Sequence, residues 1–387
     1  MILILKIIFW FSLFIVFWAN IGYQVSLVIL SKSIKRKNEK LTNYFPSVTI
    51  MVVAHNEEKV ILDKLKNLEH IKYPRDKLSI LVSSDNSTDL TNHIVEEYIQ
   101  NNSEMNINIY KSKNRMGKTN AQNEAQKLVH SEFLIMTDAN SMLGEESVKE
   151  LMSSFSNEEV AYVTGKLIYT NNGKSDTSTN ESLYWNLDLR LREIESNIQT
   201  ITAGNGALYA IRNSSYYDFD PIESHDSSMP IYYALNGKRA IYNPDAVAYE
   251  KAGENTKDEF SRKIRMNRVL LSHILPNIHI LNFFKYKWFT YFYLGHRTSR
   301  YLLWIAHLLL LLTNIVLSFT YSAFLFILIP HLLVIILGGL QFILKSKNRI
   351  LNMIYYYLVT ITAQYVGIWN KLSGKSKPFW EKVETTR

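Results

Sequence analysis

Apolar positions fall along this chain in two long blocks with a finely patterned stretch between them. Ile7 to Leu30 is nearly unbroken hydrophobic sequence, and Tyr301 to Leu344 is a second block interrupted around Ser318 to Ser322. Each contains pieces of the roughly 20 residues that a helix needs to cross a bilayer. Between the blocks, VTIMVVA (48–54), LSILVS (78–83), INIY (107–110), FLIMT (133–137) and VAYVTGKL (160–167) have the length and residue types of strands. Alternating with them, Glu57 to Leu68, Asp89 to Ile99, Lys118 to Val129 and Glu145 to Phe155 show helical spacing. Strand and helix in alternation predict an α/β domain on a parallel sheet, whose ligands sit at the carboxyl ends of strands.

The first apolar block is too long for a secretory leader, whose apolar core runs about 7 to 15 residues. It leads into SKSIKRKNEK, with five Lys/Arg between Lys32 and Lys40. Such flanks stay cytoplasmic, so we expect a retained anchor with its N-terminus outside and the next domain inside. The chain then divides into an anchor (1–31), a soluble domain (46–271), an interfacial segment (272–300) containing FFKYKWFTYFY (283–293), C-terminal transmembrane helices (301–370) and a basic tail (371–387). The stretch 352–369 has basic residues on both sides. It is therefore either a crossing against the charge rule or a partly inserted, re-entrant piece.

Composition adjusts this picture in two ways. The 387 residues include no cysteine, which excludes disulfides and thiolate metal sites. The formal charge is +8. Because many of these cations flank apolar segments, they point to an anionic membrane leaflet and away from nucleic acid.

The residues just after the apolar runs are polar: HNEE after the first, SDNSTD after the second, TDANS after the fourth. Ser87 and Thr88 stand where a cap for the helix from Asp89 belongs, and Asp85 suits a cap as well as a ligand contact. The polar stretch NNGKSDTSTN (171–180) reads as a linker into the helix ESLYWNLDLRLREIES. Two glycines in GNGALYAIR (204–212) mark a tight turn or close approach of backbone to ligand.

In chain order, VTIMVVAHNEE, SDNSTD, NRMGKTNAQNEA, FLIMTDANS, GNGALYAIR, ESHDSSMP, NGKRAIYNPDAVAYEK and EFSRKIR resemble the inverting family 2 glycosyltransferases. With the flanking apolar blocks they resemble the membrane-bound polysaccharide-synthase branch, which includes hyaluronan, cellulose and poly-N-acetylglucosamine synthases. The resemblance implies a GT-A type nucleotide-sugar-binding domain with a mostly parallel sheet, and transmembrane helices at both ends. It implies that Asp85 recognises the nucleotide base, that His55, Asn56 and Glu57 line the nucleotide pocket, and that Lys118, Arg262 and Arg265 lie near the diphosphate. Asp138 then corresponds to the first aspartate of an Asp-X-Asp metal motif for Mg2+ or Mn2+, with Asn140 in the second place, and Asp226 corresponds to the catalytic base. The implied partners are a UDP-linked sugar donor, a lipid-linked or growing saccharide acceptor, membrane lipids and other polysaccharide-assembly proteins. The implied location is the plasma membrane, multi-pass, with a cytosolic catalytic domain.

Three positions depart from the commoner pattern: Asn140 for aspartate, His225 for an acidic neighbour of the base, and Met266 for a tryptophan that accompanies processive synthesis. Two alternatives therefore stay open, a single-sugar transferase to polyprenyl phosphate and a degenerate membrane-tethered saccharide-binding scaffold.

The chemistry tolerates the first departure. Magnesium is usually held by only one or two protein carboxylates plus substrate phosphates and waters, so Asp138 alone is enough and Asn140 can add a carbonyl dipole. Asp226, followed by SSMP, suits a base held on a turn or helix start, though the same place suits an N-cap. In EFSRKIRMNR we expect Arg262 and Arg265 to face the diphosphate, with Lys263 and Arg268 facing outward or toward lipid headgroups.

Overall fold

The computed structural model describes residues 1–34, 36, 38–171, 176–253, 256–346 and 348–379. Residues 172–175 of the expected linker and the end of the basic tail lie outside the described residues, and from Asp176 the chain is already helical.

Eight strands form one sheet: β1 (Val48–Ala54), β2 (Leu78–Ser84), β3 (Ile107–Lys111), β4 (Phe133–Asp138), β5 (Met142–Leu143), β6 (Val160–Tyr169), β7 (Tyr209–Arg212) and β8 (Arg239–Glu250). Their order is β3-β2-β1-β4-β7-β6-β8-β5. The first half is parallel, with β1 between β2 and β4, and β2 beside β3. Every residue of β1 is buried, which is why VTIMVVA reads as a continuous apolar run rather than an alternating one. Register places Ala54 opposite Ser84 and Val53 opposite Asp138, so the carboxyl ends of β1, β2 and β4 are level.

The second half is mixed, so the sheet is mostly rather than wholly parallel, as the resemblance implies. β7 runs antiparallel to both β4 and β6, and β5 is antiparallel to β8, while β6 and β8 are parallel. A parallel neighbour needs a crossover connection, whereas an antiparallel one does not. The four-residue β7 enters instead from the loop that follows a long helix.

The helices are α1 (Ile2–Ser33), α2 (Ile61–Glu69), α3 (Thr91–Asn101), α4 (Lys118–Gln126), α5 (Ser147–Ser153), α6 (Asp176–Ile198), α7 (His225–Leu235), α8 (Thr256–Met266), α9 (Trp288–Tyr301), α10 (Leu303–Ser318), α11 (Ser322–Leu344) and α12 (Arg349–Leu372). α2 and α3 start later than their spacing suggests, because the preceding residues tie the tips of β1 and β2 together. Asn56 N–H donates to Ser87 Oγ at 3.1 Å, Thr88 N–H to Asn56 Oδ1 at 2.8 Å, and Glu57 N–H to Thr91 Oγ1 at 2.7 Å. Ser87 and Thr88 thus serve this junction and do not cap α3, whose N-cap position is Leu90.

Among the described residues, α1 and α11 are long and apolar enough to cross a membrane, and α9 with α10 qualify together across a 61° bend. The interfacial stretch 283–293 is two short helical turns broken at Lys287, whose φ is 54°. α12 is not among the candidate spans. It packs between α11 and α8 at two glycines: a Cβ on Gly338 would lie 2.3 Å from Leu358 Cδ1, and one on Gly367 would lie 2.7 Å from Asn267 Cβ. Small residues permit this close helix approach.

A buried polar network fastens α1 to the soluble domain. Tyr23 Oη donates to Glu195 Oε1 at 2.7 Å, and His296 lies 2.6 Å from Glu195 Oε1 and 3.0 Å from Asp188 Oδ1. Arg300 Nη1 donates to Asp188 Oδ1 at 2.8 Å, and Arg192 Nε lies 2.7 Å from Asp188 Oδ2. Burial alone would raise the Asp188 carboxyl, but Arg192, then His296 and Arg300, hold it well below the usual carboxylate range.

Candidate active site

At the level carboxyl ends of β1, β2 and β4 opens a cavity of about 380 Å³. It is lined by His55, Glu57, Asp85, Lys118, Asp138, Asn140, Asp226, Arg262 and Arg265, so nearly all the expected site residues meet in one place. Asn56 is the exception: it sits beside the cavity in the left-handed region (φ 55°) and shapes the turn.

At one end, Asp85 is 3% exposed. Its carboxylate accepts the backbone N–H of Met116 at 3.0 Å and of Gly117 at 2.9 Å, and His55 Nδ1 lies 2.7 Å from its carbonyl oxygen. Asp85 thereby fixes the start of α4. The N-terminus of that helix presents a partial positive charge suited to an anion. Residues 377–379 close over this end: a Cβ on Gly117 would lie 2.6 Å from Pro378 O, and Arg115 stacks 4.8 Å from the Phe379 ring centroid.

Three side chains converge at the centre. Lys118 Nζ is ion-paired with Asp138 Oδ1. A Cβ added to Gly206 would lie 2.9 Å from Lys118 Nζ, 3.4 Å from Asp138 Oδ2 and 3.9 Å from Asp226 Cγ. The glycine in GNGALYAIR therefore keeps open the space between a cation, a candidate metal ligand and a candidate base. Burial pulls Lys118 down, but Asp138 and then Asp226 outweigh it and leave its pKa raised, so it is an ammonium here.

Asp226 stands in the first turn of α7. Ser224 Oγ donates to its Oδ1 at 2.6 Å, and its carbonyl accepts Gly204 N–H at 2.7 Å. In turn, Arg192 Nη1 donates to Gly204 O at 2.6 Å. His225 points the other way, 1% exposed, with Nδ1 at 2.8 Å from Gln122 Oε1 and Nε2 at 3.1 Å from Tyr216 Oη. Burial, then the charge of Lys118, lowers its pKa to about 3. It is a neutral core residue that faces away from the Asp226 carboxylate.

On α8, Arg262 makes a bidentate pair with Glu259 at 2.9 and 3.0 Å. The outward placement of Lys263 and Arg268 is corrected. Lys263 is 7% exposed, 3.3 Å from Glu259 Oε1 and 4.6 Å from the Tyr356 ring centroid, because α12 covers that face. Arg268 lines the cavity and donates to Ile222 O at 2.8 Å and to Lys377 O and Pro378 O at 3.0 and 3.1 Å.

Sequence reasoning missed Glu250, at the end of β8. It accepts Asn140 Nδ2 at 2.8 Å and Ser141 Oγ at 3.3 Å, bracing the turn after Asp138. The strand-end rule applied to VAYEK would have found it. It also missed Lys64, fully buried beneath the same turn. Burial lowers the Lys64 pKa to about 7, against the opposing pull of Asp138 and Glu250.

Among the described residues no three His, Asp or Glu side chains are grouped to hold a metal. The donor set nonetheless suits a cation carried mainly by substrate oxygens: one carboxylate, Asp138, facing the space that Gly206 leaves open.

Residues 49–218 match Glycosyl transferase family 2. The chain carries a family 2 glycosyltransferase domain. That match includes His55, Asn56, Glu57, Asp85, Lys118, Asp138 and Asn140, and ends just before Asp226. The family 2 domain is similar to poly-beta-1,6-N-acetyl-D-glucosamine synthase of Staphylococcus aureus (strain COL), 23% identical over 60% of this chain and 57% of that protein. Beta-monoglucosyldiacylglycerol synthase of Nostoc sp. is 26% identical over 41% of this chain and 34% of its own. The probable glycosyltransferase YdaM of Bacillus subtilis is 33% identical over 34% and 31%. The chain thus spans about a third of the length of these last two relatives. Among solved structures, the mannosyltransferase PcManGT from Pyrobaculum calidifontis, in complex with GDP-Man and Mn2+, superposes with a TM-score of 0.72 at 20% identity, over 96% of this chain and 99% of that one. The family 2 domain accordingly has a GT-A-like α/β fold.

Proposed function

We propose that this chain transfers a sugar with inversion from a nucleotide-sugar donor, UDP-linked, to a lipid-linked or growing saccharide in surface polysaccharide or glycolipid synthesis. The observation that carries the reading is the convergence of Lys118, Asp138 and Asp226 around Gly206 at the level strand ends of a family 2 domain.

In this reading His55, Asn56, Glu57 and Asp85 shape the nucleoside end. The α4 N-terminus, Lys118, Arg262 and Arg265 receive the diphosphate, because cations there stabilise the charge that grows as the bond to the sugar breaks. Asp138, with Asn140 beside it, holds Mg2+ or Mn2+, which would neutralise phosphate charge when bound. Asp226 accepts the proton of the attacking acceptor hydroxyl, and Ser224 fixes which carboxylate oxygen is free to do so. Attack opposite the departing diphosphate inverts the anomeric carbon.

The membrane arrangement follows from the charge rule. With α1, α9–α10 and α11 as three crossings and α12 lying against the cytosolic face, the basic flanks of both α1 and α12 are inside. The catalytic domain is then cytosolic on a multi-pass plasma-membrane protein. The cavity's far end is lined by Trp185, Arg297 and Tyr301, the last two on the bent α9. This favours an acceptor arriving from the membrane, and Arg297 gives a polyprenyl phosphate acceptor a specific cationic partner as the second reading. Met266 lines the cavity; the resemblance places a tryptophan there in processive synthases, so its replacement counts against long-chain processivity.

The test is a screen of nucleotide sugars with Mg2+ or Mn2+, measuring nucleoside diphosphate release with and without membrane lipid acceptors, followed by product sizing. A single addition to a polyprenyl phosphate selects the second reading. Absence of both nucleotide binding and donor consumption returns the chain to a scaffold.

A further inference from the structure

Lys64 lies in the middle of α2, whose other inward positions, Ile61, Leu65 and Leu68, are apolar and fully buried. An ammonium among them is costly unless it is hydrogen-bonded and countered by charge. Its Nζ donates to Thr137 Oγ1 at 3.0 Å and to the carbonyl oxygen of Ser141. Thr137 Oγ1 in turn donates to Ala207 O at 2.8 Å, next to Gly206. One buried amine therefore joins α2, the end of β4 and, through Thr137, the loop at Gly206 and Ala207 that lines the cavity.

Between Thr137 and Ser141 lies a tight turn closed by Ser141 N–H on Asp138 O at 3.2 Å. That turn carries Asp138 and Asn140. Glu250 holds its exposed side through Asn140 and Ser141, and Lys64 holds its buried side through the residues at either end. An apolar residue at 64 would fill the same volume but leave the Ser141 carbonyl without its donor. The turn could then rotate about its ends, carrying the Asp138 carboxylate with it. Since Asn140 is neutral, the turn itself supplies no second carboxylate to compensate for an Asp138 that is misaimed.

We propose that Lys64 is a positioning residue for the diphosphate end of the site. By fixing both ends of the 137–141 turn from beneath, it sets the direction in which Asp138 and Asn140 offer oxygens to a divalent cation and a nucleoside diphosphate. Lys64 touches neither. The inference rests on the proposed function, in which Asp138 holds the metal. Partners that orient a metal ligand are typically worth about 10- to 100-fold in metal affinity.

The experiment uses the full chain in detergent or nanodiscs, with free Mn2+ read by electron paramagnetic resonance while UDP or GDP is present. Uridine or guanosine binding and the melting midpoint are measured beside it. For Lys64→Met we expect Mn2+ to bind about 10- to 100-fold more weakly in the presence of diphosphate, with nucleoside affinity and melting midpoint near wild type. Thr137→Val should shift Mn2+ binding in the same direction by a smaller factor. Mn2+ affinity within twofold of wild type in a folded Lys64→Met protein overturns the inference, as does an equal loss of nucleoside binding, which would mean a general packing role. If Lys64→Met does not fold, Thr137→Val decides: unchanged Mn2+ affinity overturns the proposal. A wild-type protein that binds neither diphosphate with Mn2+ removes the functional reading, and this inference with it.

Discussion

The two ends of the cavity are built by different means. The end at which we propose that the diphosphate binds rests on β1, β2 and β4, where parallel register brings Ala54, Ser84 and Asp138 level and short turns hold the candidate side chains. The other end, where we propose that an acceptor arrives from the membrane, is assembled from α6 and α9, and its rigidity comes from the buried Asp188–His296–Glu195 network and the Tyr23 hydroxyl on α1. The first end is held largely by contacts about thirty residues apart between neighbouring strand tips, with Glu250 added from farther along the chain. The second is joined by contacts more than a hundred residues apart. Changes at the first end should therefore damage chemistry while sparing the fold, and changes at the second should do the reverse.

The largest effect belongs to the seam between them. Asp226→Asn should lower turnover by about 10²- to 10⁴-fold, the usual worth of a general base, while nucleotide affinity stays within twofold by calorimetry. Near-normal turnover would remove Asp226 as the base. Next is the membrane-facing end, where Asp188→Asn leaves Arg192, His296 and Arg300 facing one another in a buried space. Removing one partner of a buried ion cluster costs about 3 to 5 kcal/mol, so this variant should show a large drop in melting midpoint. An unchanged midpoint would mean that the network does not hold the two parts together.

Gly206→Ala tests the diphosphate end by volume. A methyl group 2.9 Å from Lys118 Nζ intrudes on the converging side chains, so activity should fall at least about tenfold, which corresponds to about 1.4 kcal/mol of barrier, with little change in melting. A smaller effect comes from His225. Its folded pKa is pushed from 6.5 to about 3. As pH falls below 6.5 the unfolded chain takes up a proton that the folded chain refuses, so stability is lost between pH 6.5 and about 3. The slope from this group is at most about 1.4 kcal/mol per pH unit, and a folded His225→Asn variant should melt with a shallower dependence over that range. The smallest change is Asn140→Asp. A second carboxylate should tighten Mn2+ binding several-fold, while repulsion from Glu250, about 0.5 to 1 kcal/mol for a partly exposed pair, lowers stability when no metal is added.

The same contrast explains what the sequence made legible. VTIMVVA, LSILVS, INIY and FLIMT became strands almost to the residue; in β1, β2 and β4 burial on both faces leaves an apolar run between polar tips, whereas β3, at the sheet edge, is only partly buried. The rule that ligands gather at those tips points to HNEE, SDNSTD and TDANS, and the family resemblance then picks out His55, Asp85 and Asp138 within them. Glu250 ends a strand in the same way and went unnamed because β8 lies in the half of the sheet where strand direction switches. Lys64 left no signal: one lysine on an amphipathic helix looks like a solvent-facing residue until the turn above it is seen. Lys263 and Arg268 were turned outward in the sequence reading because a cationic helix usually faces water. Their burial depends on α12 and residues 377–378, more than ninety residues further along the chain. The linker at 171–180 was legible as polar sequence, but polarity does not mark where helix α6 begins.

The central claim is that the space around Gly206 performs sugar transfer, with Asp138 holding the metal and Asp226 taking the proton. The most direct measurement is nucleoside diphosphate release from a panel of nucleotide sugars by wild type, Asp138→Ala and Asp226→Asn, each with Mn2+ and with chelator, in the presence of membrane lipid acceptors. We expect release by wild type that chelator abolishes, and release lowered at least about 10²-fold in either variant even though both are folded and Asp226→Asn still binds nucleotide. Metal-independent release by wild type, or wild-type rates in the Asp226→Asn protein, would contradict it.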